Sequence, residues 1–223
     1  LLGGLGLFIY GMKLMGDGLE NAAGEGLKKI LEKVTKNPLI GVIVGAVVTM
    51  VIQSSSATTV MVVGFVNAGL MNLAQAAGII MGANVGTTVT AQLVAFKLDD
   101  IAPIFVFVGA MMVMFVKGKR RREIGSIILG FGILFVGMGT MSEAMKPLTS
   151  SPIFQDILTT VGSHWYLGLI AGALITAVLQ SSSATTAILV ALASAGTIDM
   201  KIAFPIVLGC NIGTCVTAII ASL

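Results

Sequence analysis

Long apolar stretches, separated by short polar segments, dominate the pattern of the chain. A transmembrane helix needs about 20 predominantly apolar residues. On that scale the pattern predicts apolar helical segments at 1–16, 38–70, 73–97, 101–116, 124–145, 165–196 and 201–223. The segment 18–36 alternates apolar residues with Lys and Glu, which is typical of an amphipathic helix. Two of the apolar segments in the first half contain polar interruptions, Gln-Ser-Ser-Ser and Ala-Asn-Val-Gly.

Composition shows which solvent these helices occupy. Of the 223 residues 56% are hydrophobic and 10% are charged, with a mean hydropathy of +1.02. A soluble domain carries about 25% charged residues, so the chain lacks the polar surface to face water. Aromatic residues make up 6%, and no alternating segments of a membrane barrel are visible. The composition therefore indicates a helical membrane protein that packs through small side chains.

The net charge of +3 and the pI of about 9.0 change this picture little. The basic residues flank apolar runs and do not form a face with interleaved aromatic residues, so they indicate membrane topology and no nucleic-acid partner. Cys210 and Cys215 have no second pair and no neighbouring His, and we interpret them as packing residues.

An internal repeat organises the chain. Gln-Ser-Ser-Ser-Ala-Thr-Thr at 53–59 recurs at 180–186, and Gly-Ala-Asn-Val-Gly-Thr at 82–87 recurs as Gly-Cys-Asn-Ile-Gly-Thr at 209–214. Both second copies lie 127 positions after the first. Between 45 and 91 the copies align without a gap and about half the positions are identical. A duplicated unit of this length is typical of secondary transporters.

We divide the chain into a first transmembrane repeat, 1–122, and a second, 123–223. In this register the second repeat lacks a counterpart of 101–116, so we expect it to be incomplete at its C-terminus. We take each Gln-Ser-Ser-Ser segment as a re-entrant helical hairpin and each Gly-x-Asn-x-Gly-Thr segment as a broken transmembrane helix. Each repeat then crosses the membrane an odd number of times, and the predicted fold is an all-α membrane protein with two inverted-topology repeats.

The distribution of basic residues supports this topology. It places Lys97, Lys146 and Lys201 on one side of the membrane. The other side, which we therefore take as cytoplasmic, has Lys13, Lys28, Lys29, Lys33, Lys36, Lys117, Lys119, Arg120, Arg121 and Arg122. If the hairpins were full crossings, the lysines at 28–36 would face away from those at 117–122. The expected location is the cell (inner) membrane, with several crossings.

Interrupted helices inside a membrane indicate a polar centre, because unpaired backbone groups are tolerated there only in protein or in a polar cavity. The predicted helix breaks thus point to a shared site. Helix amides and serine hydroxyls would bind a phosphate-like anion at Ser54, Ser55, Ser56, Ser181, Ser182 and Ser183. Amide and hydroxyl oxygens suited to Na⁺ belong to Gln53, Gln180, Thr49, Thr176, Asn84, Asn211, Thr87 and Thr214.

The absence of charge inside the repeat is also informative. No Lys, Arg, Asp or Glu occurs between Lys36 and Lys97. An anion held without a fixed positive side chain would be stabilised by a co-bound cation. We therefore expect an uncharged site and, as a hypothesis, cation-coupled symport.

Two other interpretations compete with a transport site. Small and polar residues also let membrane helices pack closely, but two copies of each motif at one spacing favour function. An intramembrane serine hydrolase would need a base near its nucleophile, and His164 precedes Gln180 by about four helical turns. We expect no enzyme, no organic cofactor and no metal other than Na⁺.

The paired motifs give the chain a family resemblance. Twin Gln-Ser-Ser-Ser segments, each followed by Gly-(Ala/Cys)-Asn-(Val/Ile)-Gly-Thr, resemble the type II sodium-dependent phosphate cotransporters and their bacterial homologues. The resemblance implies Na⁺-coupled import of inorganic phosphate by alternating access, with the twin hairpins forming the phosphate and sodium region. A Na⁺-coupled carrier of another anion, such as sulfate or a carboxylate, and an anion channel are the alternatives. The expected partners are phosphate, sodium ions and the lipid bilayer; the sequence also allows a homodimer.

Overall fold

Every regular element that the structure describes is a helix. The computed structural model describes residues 1–23, 37–95, 98, 100–149 and 151–222. Its helices are α1 (Leu2–Ala23), α2 (Pro38–Ile52), α3 (Ser55–Asn67), α4 (Leu73–Ala95), α5 (Ala102–Phe115), α6 (Lys119–Thr149), α7 (Pro152–Ser163), α8 (Trp165–Leu179), α9 (Ser182–Ser194) and α10 (Met200–Ser222). The all-helical prediction is confirmed for these residues.

The helix boundaries differ from the predicted ones near the N-terminus and before the second hairpin. The first helix was expected to end at 16, yet α1 continues to Ala23, so the predicted amphipathic helix 18–36 begins inside it. The rest of that predicted helix lies outside the described residues. The pattern also predicted no element at 152–163, where α7 forms with none of its residues buried.

The Gln-Ser-Ser-Ser segments interrupt their helices as predicted. α2 ends at Ile52 and α3 begins at Ser55, while α8 ends at Leu179 and α9 begins at Ser182. Asn37 caps the start of α2, since its side-chain oxygen accepts a hydrogen bond from the amide of Leu39 at 3.0 Å. Each apolar segment is therefore two shorter helices joined at a polar break.

The predicted breaks at the Gly-x-Asn-x-Gly-Thr segments are wrong. α4 and α10 run through 82–87 and 209–214 as uninterrupted helices. The glycines serve close packing instead: a Cβ at Gly82 would overlap the carbonyl oxygen of Val42, and one at Gly209 that of Leu169. A glycine costs a helix about 1 kcal/mol relative to alanine, and here it lets two backbones approach. Of the four matched helix breaks expected, the described residues thus show the two at Gln-Ser-Ser-Ser.

The two repeats exchange contacts across the molecule. Within the repeats α2 packs along α4, and α8 packs along α10. Between them α3 contacts α10, and α9 contacts α4. α1 and α5 both pack along α6, and a buried cluster that includes Phe8, Phe135 and Met141 joins this group to α9. The helices that follow the two breaks, α3 and α9, therefore each contact both repeats.

Apolar helices with exposed apolar side chains mark a membrane protein. In the described ranges two helices are long and apolar enough to cross a bilayer, Lys119–Pro147 and Met200–Ser222. α7 and α8 would together make a third, although they are bent by 112° where they meet. Leu2 and Val178 are 83% and 82% exposed, which is unfavourable in water and suits contact with lipid.

Glycine packing between α2 and α4 yields a testable prediction. We expect Gly82→Ala to lower the melting temperature in detergent, because overpacking typically costs about 1 to 3 kcal/mol. Gly64→Ala is the matched control: Gly64 is also helical, and a Cβ there meets nothing within 4 Å. The control should leave the melting temperature unchanged or raise it slightly. Equal effects of the two substitutions would contradict the packing role.

Candidate functional site

A left-handed glutamine ends the first helix of each hairpin. Gln53 (φ 59°, ψ 21°) and Gln180 (φ 53°, ψ 24°) are, within the described ranges, the non-glycine residues with positive φ. This conformation costs a non-glycine residue about 1 to 2 kcal/mol, so the surrounding structure must hold it. The amide of Gln53 donates to the carbonyl oxygen of Thr49 at 2.7 Å, and that of Gln180 to the carbonyl oxygen of Thr176 at 2.8 Å.

The first serine of each motif then starts the next helix. The hydroxyl oxygen of Ser54 accepts a hydrogen bond from the amide of Ala57 at 3.1 Å, and that of Ser181 accepts from Ala184 at 3.2 Å. The amides of the first two helical residues, such as Ser55 and Ser182, have no carbonyl partner within their own helix. Each hairpin therefore presents free amides and the positive end of a helix dipole.

Buried threonines tie the two arms of each hairpin together. Thr49 donates its hydroxyl hydrogen to the hydroxyl oxygen of Thr58 at 2.9 Å, and Thr58 in turn donates to the carbonyl oxygen of Ser54 at 3.1 Å. The second repeat has the same chain, from Thr176 to Thr185 at 3.0 Å and from Thr185 to Ser181 at 3.2 Å. The predicted sodium ligands Thr49 and Thr176 are thus buried beside the breaks, with their hydroxyl hydrogens already engaged.

A second pair of threonines holds the glutamine side chains. The side-chain oxygen of Gln53 accepts a hydrogen bond from Thr90 at 2.7 Å, and that of Gln180 accepts from Thr217 at 2.8 Å. The side-chain nitrogens donate to the carbonyl oxygens of Met50 and Ala177. Sequence reasoning did not select Thr90 and Thr217.

A signal for these threonines was present in the repeat. Thr90 and Thr217 are identical residues 127 positions apart, in the repeat register. Their surroundings differ, however, because Gln53 is 7% exposed and Thr90 2% exposed, whereas Gln180 is exposed. The same hydrogen bond is therefore sheltered in the first repeat and accessible in the second.

One cavity gathers both Gln-Ser-Ser-Ser motifs. It has a volume of about 300 Å³, at the lower end of the range for small-molecule sites. The residues of the two motifs that line it are Gln53, Ser54, Ser55, Ser56, Gln180, Ser181, Ser182 and Ser183. The structure thus brings together two helix N-termini and eight polar side chains that lie in different repeats.

Charged residues also line this cavity, contrary to the expectation of an uncharged site. α1 contributes Lys13, Asp17 and Glu20, which lie on one face of the helix. The uncharged stretch between Lys36 and Lys97 contains the first break. The charges of α1 lie outside that stretch and reach the breaks only through tertiary packing: a Cβ at Gly16 would lie 2.9 Å from the carbonyl oxygen of Ile52.

The remaining predicted sodium ligands lie elsewhere. Asn84, Thr87 and Asn211 line a second cavity of about 310 Å³ between α4, α9 and α10. Ser182 lines both cavities, so the two are neighbours. Thr214 lies outside both, and its hydroxyl donates to the carbonyl oxygen of Cys210 at 2.9 Å.

The site is suited to hard ions bound by oxygen ligands. Among the described residues no group of three or more His, Cys, Asp or Glu could hold a metal ion. His164 lies at the start of α8, where its Nδ1 is 3.2 Å from the carbonyl oxygen of Thr160, and it does not line either cavity. Besides the charged side chains of α1, the site offers amides, hydroxyls and amide carbonyls, and these groups bind oxyanions and alkali cations.

A family profile decides which proteins this chain belongs with. The profile of the Na⁺/Pi-cotransporter family matches residues 7–143 and again 136–223. The chain belongs to the Na⁺/Pi-cotransporter family. The family resemblance carried by the paired motifs is confirmed, and the family is one of transporters rather than enzymes.

Three relatives illustrate the proteins to which this chain is similar. "Uncharacterized protein YqeW" of Bacillus subtilis is 34% identical over 96% of this chain and 70% of its own length. "Putative inorganic phosphate export protein YjbB" of Escherichia coli is 28% identical over 96% of this chain and 39% of its own. "Sodium-dependent phosphate transport protein 2A" of Rattus norvegicus is 37% identical over 43% of this chain and 15% of its own. No solved structure matches.

The threonine–glutamine hydrogen bonds give a matched pair of variants. We expect Thr90→Val to lower the melting temperature in detergent, because a buried acceptor left unpaired costs about 1 to 3 kcal/mol. Thr217→Val removes the same bond where water can replace it, so its effect should be clearly smaller. A larger effect at Thr217 than at Thr90 would contradict the difference in burial.

Proposed function

We propose that this member of the Na⁺/Pi-cotransporter family is a symporter that imports inorganic phosphate with Na⁺ by alternating access. Substrate and sodium bind at the two helix breaks near the bilayer midplane. The observation that carries the proposal is the cavity in which both Gln-Ser-Ser-Ser motifs meet. Two converging helix N-termini favour an anion at that point.

The serines supply the contacts to phosphate. Ser54 and Ser181 use their hydroxyl oxygens as acceptors for the capping amides, so their hydroxyl hydrogens can donate to a phosphate oxygen. The remaining serines of the two motifs, Ser55, Ser56, Ser182 and Ser183, add hydroxyls on the cavity wall. A tetrahedral anion can accept hydrogen bonds from both repeats at once, which would link its binding to the relative position of the repeats.

Neutral oxygens supply the sodium ligands. The side-chain oxygens of Gln53 and Gln180 carry a second lone pair besides the one used by threonine. Asn84, Thr87 and Asn211 offer further oxygens in the neighbouring cavity. A cation bound beside the anion stabilises it by Coulomb attraction across a short distance. Because Ser182 lines both cavities, phosphate in one and Na⁺ in the other would lie close together, which supports coupled transport of the two ions.

Helix length supports the re-entrant hairpins. α2 has 15 residues and α3 has 13, so at about 1.5 Å per residue they span roughly 22 and 20 Å. The hydrocarbon core is about 30 Å thick, and neither arm crosses it alone. α8 and α9 repeat these lengths. We infer that each hairpin enters and leaves on one side of the membrane.

Reciprocal contacts support the relation between the repeats. α3 contacts α10 while α9 contacts α4, and such exchanged contacts are the mark of a two-fold axis. Together with an odd number of crossings per repeat, this favours inverted repeats in a multi-pass protein of the inner membrane. The two hairpins would then reach the site from opposite sides.

Export of phosphate is the second candidate, favoured by the name of the Escherichia coli relative. The chain covers 39% of that relative. A coupled carrier moves its substrate in whichever direction the combined gradients favour, so the same site serves either direction.

Transport in proteoliposomes tests the proposal. We expect an inward Na⁺ gradient to drive uptake of labelled phosphate. Ser55→Ala and Ser182→Ala should each lower uptake about tenfold or more, since a hydrogen bond to a charged group contributes about 1.5 to 3 kcal/mol. His164→Ala, which changes a residue outside the cavity, is the control and should keep wild-type uptake.

Four outcomes would redirect the proposal. Uptake that is unchanged without the Na⁺ gradient contradicts coupling. Stronger competition by unlabelled sulfate or a carboxylate than by phosphate indicates another anion, and single-channel currents indicate a channel. Efflux from phosphate-loaded vesicles under conditions that give no uptake indicates export.

A further inference from the structure

The face of α1 that lines the cavity is fixed in place by packing on both sides. Phe8 and Met15 are buried in the cluster shared with α6. A Cβ at Gly11 would overlap the backbone of Leu134, so α1 and α6 touch backbone to backbone. Gly16 abuts the end of α2 in the same way. α1 therefore cannot rotate its charged face away from the helix breaks without losing these contacts.

That face carries charge at regular helical spacing. The α1 residues on the cavity wall are Ile9, Met12, Lys13, Gly16, Asp17 and Glu20. Spacings of three and four residues place them in one row. Lys13 and Asp17 lie one helical turn apart, and both are exposed to the cavity rather than buried. Charged residues among membrane helices are costly and typically mark an ion path.

We propose that Lys13 is a positioning residue for the transported oxyanion, and that the negative charge of Asp17 repels this anion and favours binding of the coupling cation. The inference rests on the proposed phosphate function and adds a fixed charge to a site otherwise built from neutral groups. The ammonium of lysine is a compact charge on a flexible stem. From the cavity wall it can draw an anion toward the serines without replacing their hydrogen bonds.

The competing interpretation is that Lys13 only orients the protein in the membrane or keeps α1 soluble at its end. A topological role depends on charge and is insensitive to phosphate concentration. A positioning role changes the phosphate concentration needed for half-maximal transport. The phosphate KM therefore distinguishes the two interpretations: a positioning role changes it, whereas a topological role affects only the maximal rate.

The experiment measures Na⁺-driven phosphate uptake by the whole chain in proteoliposomes, over series of phosphate and Na⁺ concentrations. We expect Lys13→Gln to raise the phosphate KM about threefold to tenfold, as expected for one charge at short range in a partly aqueous cavity. Lys13→Arg should restore most of the affinity. Raising the ionic strength should reduce the difference in phosphate KM between wild type and Lys13→Gln, because salt screens the charge.

Asp17→Asn should change the phosphate KM in the opposite direction to Lys13→Gln. We expect it to lower the phosphate KM and to raise the Na⁺ concentration for half-maximal uptake. Lys201→Gln is the matched control, because Lys201 is an exposed lysine at the start of α10 and does not line the cavity. This control should keep the wild-type KM for phosphate.

Failure of the inference and failure of the proposed function are distinguishable. If the wild type shows no Na⁺-driven phosphate uptake, the proposed function fails. If the wild type transports and Lys13→Gln keeps its KM, or if Lys201→Gln raises the KM equally, the role of Lys13 is overturned. Phosphate binding to purified Lys13→Gln in detergent gives a second measurement: unchanged affinity would overturn the inference even when uptake is low.

Discussion

The site depends on the hydrogen bonds that stabilise two helix breaks inside an apolar bundle. A break in a membrane helix leaves amides and carbonyls unpaired, at several kcal/mol for each group in hydrocarbon. At each break the left-handed glutamine bonds back to its own helix, and the following serine caps the next. What remains unpaired is the small set of amides at the start of α3 and α9. The same bonds that make the break tolerable thus leave the positive end of a helix dipole at the cavity.

Close packing by glycine fixes each break against a neighbouring helix of its own repeat. α2 lies against α4, and α8 against α10, at backbone contact distance through Gly45, Gly82, Gly172 and Gly209. Such contacts place the threonines of α4 and α10 within hydrogen-bonding reach of the glutamines. The Gly-x-Asn-x-Gly-Thr segments therefore support the site as uninterrupted helices. Their asparagines line a second cavity that shares a wall with the first.

The two copies make the same hydrogen bonds in unequal surroundings. Gln53 is 7% exposed and its counterpart Gln180 is exposed. α1 also lies against the first break through Gly16, and its charged face adds Lys13, Asp17 and Glu20 to the cavity. Duplication thus explains the common chemistry of the breaks, and the elements that differ between repeats decide the charge around them.

Local chemistry was enough to predict the helices other than α7, the duplication and the breaks at Gln-Ser-Ser-Ser, because apolar length and serine capping act within a few residues. It was not enough for the Gly-x-Asn-x-Gly-Thr segments, since glycine suits a helix break and a close helix contact equally well. Only packing against α2 and α8 decided between them. The charges of α1 and the threonines that hold the glutamines were decided by the same packing, because each lies tens of residues from the break it contacts and no local pattern encodes that distance.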